Sequence, residues 1–101
     1  MSLVDEAQDR HARHLVEAWS AVLAEPQGRA VVWSILEMTA PFQSTFATDP
    51  STAAFAEGRR SVGLEILAHH LPGPTLAQLM TENAERLAEI ERAIEEEQSD
   101  D

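Results

Sequence analysis

"AFAEGRRSVGLEILAHH", residues 54–70, is the stretch on which the reading of the fold turns. Projected at 100° per residue, it forms a helix with apolar residues on two sides. Phe55, Val62 and Ile66 share one face, with Arg59 among them. Ala53, Leu64, Leu67 and Leu71 share a second, with Arg60 among them. A helix apolar on two sides is expected at the centre of a bundle. A guanidinium drawn into such a bundle needs partners, because an unpaired buried charge is costly. Glu25, Glu37 and Glu57 are the candidate carboxylates, and the carbonyls of the preceding helix end and loop are candidate acceptors. Arg59 and Arg60 are therefore expected to pin that loop to the helix. Gly58 and Gly63 each cost ~1 kcal/mol relative to Ala in mid-helix, which predicts another backbone lying close to both.

The flanking sequence sets the frame of this helix. Asp49 and Pro50 give it an N-cap and a first helical residue, and Pro72-Gly73-Pro74 ends it after His70. Residues 39–49, "TAPFQSTFATD", read as a loop whose Phe42 and Phe46 are expected to anchor in the core. Upstream, Gln8, Ala12, Leu15, Trp19 and Val22 recur at helical spacing and predict a helix over about 4–24. Pro26 opens a second helix, to about Met38, with Trp33 and Glu37 one turn apart. Downstream, Thr75 and Gln78 form a capping-box pattern that starts a fourth helix, reaching about Glu97. The expected fold is all-α: a small bundle of about four helices with a central helix at 50–70. It is read as one domain over residues 1–97, with a frayed acidic tail at 98–101.

Taken in order, "EPQGRAVVWSILE", "PFQSTF" and "TAAFAEGRRSVGLEILA" resemble a family of small tailed-phage proteins typified by one from a Bordetella podophage. The residues that carry the resemblance are Pro26, Gly28, Arg29, Trp33, Leu36, Glu37, Phe42, Ser44, Phe46, Phe55, Glu57, Gly58, Arg59, Arg60, Val62 and Gly63. The resemblance spans about residues 23–68, with a departure at Ala40-Pro41. It implies a gene in the virion-structure module of a phage or prophage, near portal and capsid genes, and it implies no catalytic activity. The site residues it marks are read as a structural motif.

Composition narrows the classes of function. The chain has 101 residues and a net charge of −11. All seven basic residues are Arg, and residues 82–101 hold nine Asp or Glu against Arg86 and Arg92. Such a surface repels phosphate, so direct binding of nucleic acid or anionic membrane is not expected. The absence of cysteine removes disulfide and thiolate chemistry. No apolar run approaches the ~20 residues of a membrane span, and a signal-peptide pattern is missing. The expected location is the host cytoplasm during assembly, or the virion.

Chemistry of sites adds little. His11 and His14 lie one turn apart and Glu17 follows, but a zinc site needs further ligands that the sequence does not supply. His69 and His70 sit at a helix end, where cations are favoured by the dipole. No carboxylate pair stands in an apolar setting suited to acid–base work, and Ser34, Ser44 and Ser61 have no base at hand. The expectation is a non-enzyme without cofactor or metal.

The fourth helix carries a second pattern. Leu76, Met80, Asn83, Leu87, Ile90 and Ile94 follow the 4-3-4-3-4 spacing of a heptad seam. One reading packs this seam on the stripe of the first helix. Leu87, Ile90 and Ile94 are the interface candidates if it reaches farther, toward a second copy or another phage structural protein. The acidic end could also act as the working surface of a regulatory module, such as a DNA mimic or host-factor inhibitor.

Overall fold

Four helices follow one another in the computed structural model, which describes residues 2–99. They are α1 (Leu3–Leu23), α2 (Pro26–Thr39), α3 (Pro50–His70) and α4 (Gly73–Ser99). Among the described residues there is no strand, so the all-α bundle expected from periodicity is what the chain forms.

The helix ends show why the sequence breaks where it does. Ser2 Oγ accepts a hydrogen bond from the Asp5 amide at 3.1 Å, and Asp5 and Glu6 sit in the first turn of α1, where the dipole favours negative charge. Pro26 starts α2 after a two-residue turn. Asp49 caps α3, its carboxylate accepting from the amide and hydroxyl of Thr52 at 3.1 and 2.7 Å. These bonds hold the Asp49 carboxyl below its usual range, the Thr52 hydroxyl contributing most. α4 begins at Gly73, two residues before the expected cap. The Pro72 carbonyl accepts from the Leu76 amide at 3.0 Å. Thr75 is therefore inside the helix, and Gln78 donates to Glu82 at 3.2 Å instead of closing a capping box. At its other end α4 runs through Ser99, so residues 98 and 99 of the expected tail are helical; the tail's residues 100 and 101 lie outside the described residues.

α2 ends on Ala40, whose φ of 47° and ψ of 52° lie in the left-handed region. Its amide reaches the carbonyls of Leu36 and Glu37, both at 3.2 Å. A side chain in this conformation costs roughly 1–2 kcal/mol, and glycine usually holds such a cap. Ala40→Gly is therefore expected to raise stability by up to ~1 kcal/mol after the extra unfolded-chain entropy is offset. Urea unfolding of the two proteins measures this directly.

The arrangement of the helices departs from expectation. The helix at 50–70 lies where the sequence places it, yet the hub is α2, against which α1, α3 and α4 each pack. The core is correspondingly thin. Val32 and Leu36 of α2 meet Leu71 and Leu79, with Trp19, Leu23, Trp33, Ile66, Leu67 and Leu76 partly buried around them. Gly63 is the one buried residue of α3. The first half of that helix runs past the end of α2, which leaves Phe55 71% exposed. α1 and α4 have no extended contact with each other, so the seam of α4 does not pack on the stripe of α1. The result is long: 70 × 41 × 21 Å, with a radius of gyration of 18.7 Å. A compact domain of this length has roughly 13 Å.

Candidate functional site

Two layers of features occupy this frame: the residues that hold α2 in place, and the apolar side chains that the frame leaves uncovered.

The holding residues centre on Arg29. Its Nε donates to both carboxylate oxygens of Glu82 at 3.0 Å, and one terminal nitrogen lies 2.8 Å from Glu82 Oε1. The other terminal nitrogen donates to the Leu23 carbonyl at 2.9 Å. One side chain of α2 thus closes the open C-terminal end of α1 and grips a carboxylate of α4, with only 11% of its surface exposed. Planar, five-donor guanidinium suits this fork geometry as ammonium does not. The hydrogen bonds from Arg29 hold the Glu82 carboxyl below the ordinary glutamate value, partly opposed by burial. A depressed carboxyl stabilises the fold above its unfolded pKa, and that contribution disappears as pH falls through the folded one. Wild type is therefore expected to lose stability below pH ~4, whereas Glu82→Gln starts lower and changes less over that range. Thermal melts from pH 7 to 3 test the difference.

Gly28, next to Arg29, belongs to the same junction. A Cβ there would meet the Val22 carbonyl, with Val22 C at 2.8 Å. The close approach is between α1 and α2, and only hydrogen fits. Gly63 has the matching role between α2 and α3, where a Cβ would meet Thr39 Oγ1 and come within 2.9 Å of Thr39 Cβ and 3.0 Å of Pro41 Cβ.

Several expected site residues stand elsewhere. Gly58 faces open space, with nothing within 4 Å of a Cβ. Arg59 lies over the Phe55 ring at 5.6 Å on the exposed side of α3. Arg60 pairs with Glu57 at 3.3 Å within its own helix. Neither arginine pins the loop. The loop is tied by Glu57 itself, which accepts from the Thr45 hydroxyl at 2.7 Å. Phe42 and Phe46 are 66% and 88% exposed: the loop leaves α2 on its outer side, and Pro41 is the residue buried there. Glu37 is exposed beside Trp33 and Phe42 and lines a shallow depression with them. Trp33 is partly buried against the core, and its Nε1 is buried without a hydrogen-bond partner. Glu82, the partner that Arg29 uses, escaped sequence reading. Its only signal was position, on the α4 face shared with Leu79 and Arg86.

The uncovered side chains form two stripes. Leu15 and Val22 of α1, with Val31 and Ile35 of α2, line an open apolar groove. On α4, Leu87, Ile90 and Ile94 expose 47–55% of their surfaces, and Met80 a similar share. The interface candidates of α4 are thus left about half exposed, at and beyond the point where the chain's own cover of the helix ends. Among the described residues no group of three or more His, Cys, Asp or Glu is placed to hold a metal ion, and no helix is long and apolar enough to cross a membrane. His70 instead stacks on Trp19, with ring centroids 3.9 Å apart and planes within 7°.

A frame of helices locked by a guanidinium, with large apolar side chains left exposed, defines a small all-helical protein. The family model described as Bbp19-like phage protein matches residues 19–81. That is more than half of the chain, and the chain belongs to this phage protein family. The match takes in Gly28, Arg29 and Gly63, and extends beyond the motif to Leu71 and Leu79 of the core. No curated protein and no solved structure matches the chain.

Proposed function

We propose that this phage protein is a non-enzymatic component that works by protein–protein contact in virion structure or assembly, in the portal and tail region. The observation that carries the reading is the mismatch between size and core. Among the described residues four apolar side chains are buried at the centre, while seventeen large hydrophobic residues are exposed. Soluble monomers rarely carry so much uncovered apolar surface unless it meets a partner. The site of action is the host cytoplasm during assembly, or the particle itself, and the partners are phage structural proteins or further copies of this chain. Particles and assembly intermediates separated on gradients from a lysate test this. The chain is expected to travel with one of these fractions, and its absence from all of them would refute the reading.

The net charge of −11 favours a second reading, in which the acidic C-terminal end of α4 engages a basic host surface as a regulatory module. Salt separates the two. Binding through charge collapses as salt screens it, whereas apolar contact persists.

A further inference from the structure

We propose that the C-terminal part of the α4 seam, from Met80 onward and largely uncovered, pairs with the same stretch of a second copy, the two helices running antiparallel about a two-fold axis near residues 88 and 89. The proposal rests on the contact-based reading above and names its first partner.

The cover of α4 by its own chain ends at Ala88, the last residue of the helix that is even partly buried. Residues 89–99 continue as helix with every side chain exposed. Most helical stability in proteins comes from packing an amphipathic face, and this segment packs its face on nothing in its own chain. Its end adds to the difficulty: Glu95, Glu96 and Glu97 oppose the negative pole of the helix, and the last turn carries no basic residue. A covering partner removes this inconsistency.

The pattern of the segment says what kind of partner fits. Leu87, Ile90 and Ile94 continue the spacing of Met80 and Asn83, so they occupy a and d positions of a heptad. The positions flanking the seam are Ala84, Arg86, Glu91 and Ala93. Glu85, Glu89, Glu95 and Glu96 fall at outer positions. An apolar line with small or single-charge flanks, and acid turned away except for Glu97 at its far end, is the face of a helix that pairs with another helix.

Charge decides between the two directions. A parallel pair would set Arg86 against Glu91 of the second copy, which is attractive. It would also lay both acidic ends side by side, with Glu95, Glu96 and Glu97 of each copy together. Two exposed ion pairs contribute too little to offset that crowd of like charge. In the antiparallel pair Arg86 faces Ala93 of the second copy and Glu91 faces Ala84, without conflict. The layers are Leu87 with Ile90, Asn83 with Ile94, and Met80 with the stem of Glu97. The acidic ends then lie about 25 Å apart at 1.5 Å per residue, well beyond a Debye length of ~8 Å. Opposed dipoles favour the same direction. Each copy supplies the same surface, so the contact closes at two.

Sedimentation equilibrium of the full chain should give a concentration-dependent mass that rises toward twice 11.1 kDa. Raising salt should strengthen pairing, because it screens repulsion between two chains of −11. Leu87→Glu with Ile90→Glu should return the mass to one chain with helicity by circular dichroism unchanged, since both side chains are exposed in the single copy. The chain has no cysteine, so direction can be read by oxidation. Met80→Cys mixed with Glu97→Cys should form the mixed disulfide, and Glu97→Cys alone should not cross-link. A single-chain mass at all concentrations, a larger oligomer, or self-cross-linking through position 97 would each overturn the proposal. A monomer that still travels with phage particles would sink the pairing and leave contact-based function standing. A dimer absent from every particle and intermediate would support the pairing and remove that function.

Discussion

Leu36→Ala is expected to lower the unfolding free energy by about 2–5 kcal/mol, the range for emptying a well-packed leucine site. Leu36 is 1% exposed and sits where α2 meets Leu71 and Leu79. Leu36 is one of the four buried side chains of the core, so a cavity there loosens the contact of α2 with Leu71 and Leu79. Small domains are stable by only ~5–15 kcal/mol, and a core this thin belongs toward the low end. The variant should therefore be largely unfolded near body temperature. Ile94→Ala, exposed at the far end of α4, is the control and should melt close to wild type when both are measured as monomers at low concentration. Near-equal melting of Leu36→Ala and wild type would show that the stabilising contacts lie elsewhere.

Gly63→Ala and Gly58→Ala should move stability in opposite directions, although the two glycines share one helix and lie five residues apart. At position 63 the added carbon meets Thr39 and Pro41. Thr39 is fixed by its place in the last turn of α2, where its hydroxyl donates to the Leu36 carbonyl at 2.7 Å, and Pro41 is a rigid ring. The helices must separate, and overpacking of this kind costs typically 1–3 kcal/mol. At position 58 the added carbon meets nothing, and the change removes the helix penalty of glycine, a gain of about 0.8–1.0 kcal/mol. Urea midpoints of the two single variants and the double variant check both signs. A loss at position 58 would mean that α3 has a neighbour along that face.

The contrast between these glycines shows what the sequence could convey. The boundaries of α2 and α3 were legible because Pro26, Asp49, Pro50 and Pro72 act locally. A capping carboxylate or a missing amide needs no knowledge of the rest of the chain. The close approach at Gly63 was legible too, because a glycine in mid-helix implies a reason. Which helix is the hub was not legible. Residues 50–70 carry apolar side chains on two sides, but only the second half of that helix meets α2, and periodicity cannot reveal where a neighbour ends. The same gap misplaced Phe42, Phe46 and Phe55.

The arginine pin illustrates the limit further. The chemistry expected of Arg59 and Arg60, a guanidinium neutralised by a carboxylate and a helix-end carbonyl, is present in full at Arg29. The Gly28-Arg29 pair was already part of the motif. Its acceptor, Glu82, lies 53 residues away on α4. A contact at that separation follows from how the helices cross, and one chain read alone carries no mark of it.

The thinness of the core around Leu36 bears on the life of the protein in the cell. A fold with so little interior opens often, and proteases cut what opens. Copies that find no binding surface are expected to be degraded quickly, while incorporated copies are shielded. Abundance would then follow demand, with surplus removed by turnover and no dedicated regulator required. Pulse-chase half-lives, compared in cells with and without the rest of the phage genes, would show whether supply is trimmed in this way.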